Sequence, residues 1–121
     1  MDRLLSGRRI LVVEDEMLIL MMIESMLVDM GCESVITAAT VDQAVSLIEG
    51  QIFDAAMLDV NLQGHNSRPV ADALAVRGVP FVFSTGNSGH HTMEEYDDRA
   101  VLRKPFTDRD LSAALTKLLS R

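Results

Sequence analysis

The chain of 121 residues has one cysteine and no long hydrophobic run. Cys32 has no second thiol with which to form an internal disulfide. No apolar run approaches the roughly 20 residues that a bilayer-spanning helix needs, and the first nine residues carry too short an apolar stretch for a signal peptide. These absences predict a cytoplasmic protein that does not associate with membranes.

The chain also has little positive charge. Lys and Arg number 11 against 18 Asp and Glu, which gives a formal net charge of −7. Direct nucleic-acid binding needs clustered Lys or Arg to replace counterions, so nucleic acid is not expected as a partner. The length predicts a single domain over residues 1–121, with its core over about residues 8–120, and leaves no room for an output domain.

Four short apolar runs each end at residues that can handle a phosphoryl group. The runs are bounded by polar or turn residues, which is typical of buried parallel strands. Ligands bind at the carboxyl ends of the strands in an open parallel sheet, so we expect these polar residues to converge on one edge. The residues are Glu14 and Asp15 after the first run, Asp59 after the second, Thr85 at the end of the third and Lys104 after the fourth.

Segments with helical periodicity lie between these runs. The first extends from Glu16 to Met30, and its periodicity predicts a buried stripe of Ile19, Met22, Ile23, Met26, Leu27 and Met30. Further helices are predicted after Thr40, Ser67 and Thr107, with a second strand over residues 34–38 and a short, irregular fourth helix within 85–99. The alternation predicts an α/β fold with a doubly wound, five-stranded parallel sheet.

The order of an acidic pair, a single Asp, a Thr and a Lys-Pro pair resembles the receiver domain of two-component response regulators over essentially the whole chain. The Phe83-Ser84-Thr85-Gly86 stretch resembles a Phe-Ala-Thr-Gly subgroup of single-domain regulators of alphaproteobacterial type. The resemblance implies a flavodoxin-like (βα)5 fold with strand order 2-1-3-4-5. It also implies a protein that catalyses only its own phosphorylation and dephosphorylation and is not otherwise an enzyme. Because the length leaves no room for an output domain, a stand-alone receiver is predicted.

Such a receiver takes a phosphoryl group from a histidine kinase or a histidine phosphotransfer protein. It then controls a downstream protein target, or acts as a phosphate shuttle or sink. A phosphorylation-independent interaction module is the alternative, and the complete set of site residues favours the first reading. A Mg²⁺-dependent phosphatase of the haloacid-dehalogenase kind is remote, because that class needs an Asp two residues after the nucleophile, where this chain has Asn61.

Asp59 is predicted to be the phosphoacceptor. A carboxylate and a phosphoryl group repel one another, so a divalent cation and fixed positive groups must cancel that repulsion. Mg²⁺ or Mn²⁺ is expected at Asp15 and Asp59 directly and at Glu14 through water, and the resemblance adds the main-chain carbonyl of Asn61. Three further groups are predicted to contact phosphoryl oxygens, namely the Lys104 ammonium, the Thr85 hydroxyl and the Gly86 N–H.

The receiver pattern also bears on the lifetime of the phosphoryl group and on switching. Asn61 and Asn87 match the positions that flank the attacking water, and an amide orients water without taking its proton, so hydrolysis is expected to be neither very fast nor blocked. Val101 stands three residues before Lys104, where many receivers have the aromatic ring of the switch. The usual aromatic readout is therefore predicted to be absent or replaced.

The first helix has more apolar residues than one buried face needs. Those outside the predicted stripe are expected to form a surface for a partner protein or for a homodimer. They include Met17, Leu18, Leu20 and Met21.

Overall fold

The computed structural model describes residues 5–62, 65–86 and 100–120. Its central element is a five-stranded sheet in which all pairings are parallel. The strands of this sheet are β1 (Arg9–Val13), β2 (Ser34–Ala38), β3 (Ala55–Asp59), β6 (Phe81–Thr85) and β7 (Val101–Arg103), in the order β2-β1-β3-β6-β7. A small antiparallel hairpin, β4 (Asn61–Leu62) and β5 (His65–Asn66), follows β3.

Four helices are described in these ranges, and they are α1 (Met17–Asp29), α2 (Val41–Gly50), α3 (Arg68–Val76) and α4 (Asp108–Leu119). The predicted parallel sheet and its order are confirmed, since β6 and β7 are the fourth and fifth strands of the sheet. The bounds predicted for the second strand are confirmed as well. The short helix expected before β7 falls on residues 87–99, which lie outside the described residues.

The three central strands of the sheet, β1, β3 and β6, are buried on both faces, which explains why they are mainly apolar runs rather than alternating ones. Successive residues of a strand point to opposite faces, so Leu11 and Val13 join one core while Ile10 and Val12 join the other. Helices α2 and α3 cover the first face, and α1 and α4 cover the second.

Hydroxyl caps fix the start of two helices. The Thr107 side chain accepts a hydrogen bond from the Asp110 N–H at 3.1 Å, and the Asp110 carboxylate accepts one from the Thr107 N–H at 3.0 Å. This reciprocal pair satisfies N–H groups that the helix itself cannot. At α2 the Thr40 hydroxyl accepts from the Gln43 N–H, as the sequence predicts.

The predicted phase of α1 is wrong in its first half. Leu20, expected on the outer surface, is only 7% exposed and packs into the core beside Ile23 and Leu27. Met22, expected in the core, is exposed. All seven residues from 17 to 23 are apolar, so more than one helical stripe fits this stretch, and packing against the sheet selects the one through Leu20.

We expect Leu20→Ala to lower the free energy of unfolding by about 2–5 kcal/mol, because it opens a cavity in a packed core. Leu18→Ala is the matched control on the same helix, since Leu18 is 82% exposed, and should change that energy by less than about 0.5 kcal/mol. Urea denaturation measures both. Equal losses in the two variants would contradict the phase of α1 described here.

Candidate functional site

Strand pairing brings the polar residues that end the strands to one edge of the sheet. β1 pairs with β3 through Val13 and Leu58, so Glu14 and Asp59, one residue further along each strand, are neighbours. β3 pairs with β6 through Asp59 and Ser84, which sets Thr85 beside this edge.

The fifth strand of the sheet brings a positively charged residue, Lys104, to this edge. β6 and β7 pair through Thr85 and Arg103, and the N–H of Lys104 donates to the Thr85 carbonyl at 2.8 Å. Lys104 therefore follows immediately after the paired end of β7. Its side chain can reach back across the ends of the neighbouring strands.

The Lys104 ammonium lies among carboxylates. Its Nζ is 2.6 Å from Glu14 Oε1, 3.0 Å from Asp59 Oδ2 and 4.0 Å from Glu16 Oε1. Glu14 and Asp59 are buried and Lys104 is nearly so, whereas Glu16 is exposed. Charge-assisted pairing of this kind is what makes burial of ionised groups tolerable.

Three carboxylates form a cluster with the chemistry of a hard-cation site. Glu14, Asp15 and Asp59 each offer one oxygen, and these oxygens lie within 4.8 Å of one another. Carboxylates this close repel one another, and the single charge of Lys104 offsets only part of that repulsion. Oxygen ligands of this kind suit Mg²⁺, so the residues fit a divalent cation.

The Glu14 carboxylate is held by contacts within the protein. Its Oε2 accepts a hydrogen bond from the Glu16 N–H at 3.0 Å, while Oε1 faces Lys104. Both oxygens therefore already have protein partners. This favours an indirect role at the cation, through water, over direct ligation.

Burial sets the protonation of this pair. Burial raises the pKa of Glu14 to about 7, although the hydrogen bonds from Lys104 and from the Glu16 N–H oppose the shift. Burial lowers the pKa of Lys104, but the hydrogen bonds and negative charges of Glu14 and Asp59 together outweigh it, so the pKa is raised above its usual 10.5. Lys104 is therefore charged at neutral pH while Glu14 is poised to titrate.

The end of β6 completes the edge. Thr85 is buried, and Gly86 follows it with space for a close approach, since a Cβ there would lie 3.9 Å from Lys104 Cδ. A pocket of about 370 Å³ opens beside these residues. It is lined by Glu16, Ile19, Met22, Gly86, Lys104, Pro105 and Phe106.

Three further predicted positions are Asn61, Val101 and Asn87. The backbone of Asn61 lies in β4, Val101 is a partly exposed residue of β7, and Asn87 lies outside the described residues. On α1, Met17, Leu18 and Met21 are exposed, and Leu20 is buried and does not belong to that surface.

Two residues near the site carry contacts that the sequence analysis did not assign. Glu16 approaches Lys104, and its position directly after the acidic pair was the signal available in the sequence. Ser67, at the start of α3, is completely buried and donates its hydroxyl to the Val60 carbonyl. The sequence marks Ser67 only as a helix boundary.

Comparison with known proteins identifies the family. Residues 10–116 match the response regulator receiver domain, so this chain belongs to the response regulator receiver family. Receiver domains are generally signalling modules that interact with kinases or phosphotransfer proteins and with downstream targets. The family binds Mg²⁺ in an acidic pocket, and Glu14, Asp15 and Asp59 form such a cluster here.

Several individual proteins are similar. SdrG from Sphingomonas melonis Fr1 is 47% identical, with a TM-score of 0.84 over 96% of this chain and 98% of that one. SdrG from Pseudomonas melonis Fr1, in its BeF3-activated conformation, is 46% identical, with a TM-score of 0.81 over 94% of this chain and 98% of that one. The receiver domain of sensor histidine kinase PA1611 from Pseudomonas aeruginosa PAO1, solved with a magnesium ion coordinated in its active site cleft, is 26% identical, with a TM-score of 0.81 over 96% of this chain and all of that one.

A longer protein is similar in sequence. The transcriptional regulatory protein PdtaR of Mycobacterium tuberculosis H37Rv is 34% identical over 118 residues, which cover 94% of this chain. The match spans 58% of the length of PdtaR.

Within residues 5–62, 65–86 and 100–120, no helix combines the length and apolar character that crossing a membrane requires.

The pKa of Glu14 generates a prediction for stability against pH. The pKa is about 7 in the fold against an ordinary value of 4.5, so the unfolded chain releases this proton first as the pH rises. The contribution of Glu14 to the unfolding free energy is therefore full below about pH 4.5 and declines until about pH 7. Glu14→Gln cannot titrate and should lack this decline.

The measurement is chemical denaturation of both proteins from pH 4.5 to 8 with a metal chelator present. The stability of the wild-type chain relative to Glu14→Gln should fall across that range. A constant difference between the two curves would exclude the raised pKa.

Proposed function

We propose that the chain is a phosphoacceptor receiver that takes a phosphoryl group onto Asp59. One observation carries the proposal: the buried Asp59 carboxylate lies 3.0 Å from Lys104 Nζ, within a cluster of three carboxylates that fits Mg²⁺. A nucleophile, a fixed positive charge and a cation site at one sheet edge are what phosphoryl transfer to a carboxylate requires.

In the proposed step, a carboxylate oxygen of Asp59 forms a bond to phosphorus. The bond from phosphorus to the donor's imidazole nitrogen breaks, and its electron pair stays on that nitrogen. The product is an acyl phosphate on Asp59 and a dephosphorylated histidine on the donor. A phosphatase of the haloacid-dehalogenase kind would also use Asp59 as its nucleophile, but it needs a general acid two residues later, and Asn61 cannot supply one.

The other site residues have distinct proposed roles. Lys104 would pair with one phosphoryl oxygen, while the Thr85 hydroxyl and the Gly86 N–H would donate to others. Mg²⁺, when bound, would offset the negative charge that Asp59 and the phosphoryl group share. Asp15, Asp59 and the Asn61 carbonyl are the proposed direct ligands.

Two similar proteins support the proposal. The PA1611 receiver domain was solved with magnesium in its active site cleft, and SdrG was solved in a BeF3-activated conformation. By extension, we propose Mg²⁺-dependent phosphorylation in the cytoplasm by a histidine kinase or phosphotransfer protein, with a lifetime modulated at Asn61 and Asn87. Because Val101 has no ring to move, the conformational change is proposed to reach the downstream target without an aromatic switch.

The first test is phosphorylation by acetyl phosphate in the presence of Mg²⁺, followed by intact-protein mass. The wild-type chain should gain one phosphoryl mass, and Asp59→Asn should gain none. Asp72→Asn is the matched control, since Asp72 lies on α3 in an exposed pair with Arg68. A gain that persists in Asp59→Asn would assign the chemistry to another residue. Failure of both acetyl phosphate and a phosphorylated histidine donor would favour the phosphorylation-independent module.

The exposed face of α1 is proposed as the surface for the donor protein or for a second copy of the chain. Met17, Leu18 and Met21 are 64%, 82% and 57% exposed. They lie on a helix that begins beside the site, because the Glu16 N–H donates to Glu14. Large apolar side chains grouped in this way mark interaction surfaces more often than scattered ones do.

Met17→Lys and Met21→Lys should slow phosphotransfer from a phosphorylated histidine donor by about tenfold or more, the effect of burying one charge at an interface. Phosphorylation by acetyl phosphate should be unchanged, because that donor is too small to use the surface. Ile52→Lys and Val76→Lys are the controls, since these residues are 81% and 86% exposed elsewhere on the chain. Unchanged transfer and unchanged oligomeric state in both methionine variants would disprove the surface.

A further inference from the structure

Ser67 is a buried polar residue that the proposed chemistry leaves unused. It is 0% exposed, and its hydroxyl donates to the Val60 carbonyl at 3.0 Å. Its own N–H donates to the same carbonyl at 3.2 Å. Two donors from one residue therefore hold a single acceptor, and that acceptor belongs to the residue immediately after Asp59.

Val60 is held from its other side as well. Its N–H donates to the Ser84 carbonyl of β6 at 3.0 Å. Ser67 also begins α3, since its carbonyl accepts from the Val70 and Ala71 N–H groups at 3.0 and 3.1 Å. The peptide that follows Asp59 is thus fixed between the end of β6 and the start of α3.

The pairing of β4 with β5 sets the direction of the Asn61 carbonyl. In an antiparallel ladder, hydrogen-bonded pairs alternate with pairs whose main-chain groups point away from the partner strand. The bond from the Ser67 N–H to the Val60 carbonyl makes Val60 and Ser67 a hydrogen-bonded pair. The next pair, Asn61 with Asn66, is therefore one whose main-chain groups point away from the partner strand. The carbonyl of Asn61 is therefore directed away from the β5 side of the hairpin.

Leu62 fixes the far side of Asn61. It is 1% exposed and packs in the core against which α2 and α3 lie. Asn61 thus stands between two anchored neighbours, Val60 and Leu62. Its main-chain position is set before any cation binds, and such preorganisation strengthens binding because less order has to be created.

We propose that Ser67 is a positioning residue for the cation site: its hydroxyl holds the Val60 peptide so that the Asn61 carbonyl is directed to Mg²⁺. The inference rests on the proposed function because it assumes that the site binds Mg²⁺, but it concerns Mg²⁺ binding and not phosphoryl transfer. Ser67 acts through the main chain and contacts no reacting atom.

The test is Mg²⁺ affinity, measured by calorimetry on the whole chain. Ser67→Ala should raise the Mg²⁺ Kd by about three- to tenfold, the factor that corresponds to one net hydrogen bond. Amide hydrogen exchange at residue 67, whose N–H donates to the same Val60 carbonyl, should become faster in the same variant. Acetyl phosphate labelling should slow at limiting Mg²⁺ and recover at saturating Mg²⁺, since the hydroxyl does not act on the phosphoryl group.

Val70→Ala is the matched control, because Val70 is a fully buried residue in the first turn of the same helix. It should lower thermal stability and leave the Mg²⁺ Kd within about twofold of the wild-type value, since no main-chain hydrogen bond near Asn61 is lost. If Val70→Ala weakens Mg²⁺ as much as Ser67→Ala does, the effect is general loosening and the proposal is wrong. An unchanged Kd in Ser67→Ala also overturns it.

If Ser67→Ala does not fold, Ser67→Cys replaces it, since a thiol of similar size is a weaker donor. A raised Kd in that variant supports the proposal, and an unchanged one overturns it. A wild-type chain that binds Mg²⁺ but accepts no phosphoryl group contradicts the proposed function alone, and the ratio of the Kd values still decides the role of Ser67. A wild-type chain that binds no Mg²⁺ overturns the positioning role.

Discussion

The ion pairs of Lys104 are the interactions on which the arrangement of this site depends. Glu14 and Asp59 are buried side by side at the ends of β1 and β3, and burying two carboxylates together without a cation costs several kcal/mol. Lys104 supplies this positive charge because β7 pairs with β6 and ends at Arg103, so that Lys104 follows directly at the edge where the two carboxylates lie. The strand order therefore determines the electrostatics of the site, because it brings Glu14, near the start of the chain, together with Lys104, near its end.

That constraint also limits how a signal can leave the site. The proposed phosphorylation would replace the single negative charge of the Asp59 carboxylate with the roughly −1.5 to −2 charges of a phosphoryl group, and Lys104 already pairs with Asp59 beforehand. Lys104 is joined to β6 through the bond from its N–H to the Thr85 carbonyl. Any movement of Lys104 or Thr85 toward a phosphoryl group therefore pulls on β6 and β7 together. Because Val101 has no ring to move, the proposed switch would rely on these main-chain connections and on packing.

Four of the strands were predictable because buried strands are short continuous apolar runs, each ended here by a polar residue, whereas the order of the strands came from the resemblance to receiver domains. The phase of α1 was not predictable, because residues 17–23 are all apolar and periodicity cannot choose among overlapping stripes. Leu20 was therefore expected on the surface and Met22 in the core, the reverse of what the structure has. The β4–β5 hairpin and the contact of Ser67 with Val60 were also missed, since two-residue strands have no periodicity and a serine before a helix is most simply a cap.

The start of α1 ties the exposed apolar face of the protein to its acidic site. The Glu16 N–H donates to Glu14 Oε2, and the Glu16 carboxylate lies 4.0 Å from Lys104 Nζ, so the first residues of the helix share partners with the buried ion pairs. A protein bound to Met17 and Met21 would contact the start of α1, and a phosphoryl group at Asp59 would affect the same segment through Lys104 and Glu16. Coupling between two binding events is reciprocal: if phosphorylation changes the affinity of this face for a partner, that partner changes the stability of the acyl phosphate by the same factor.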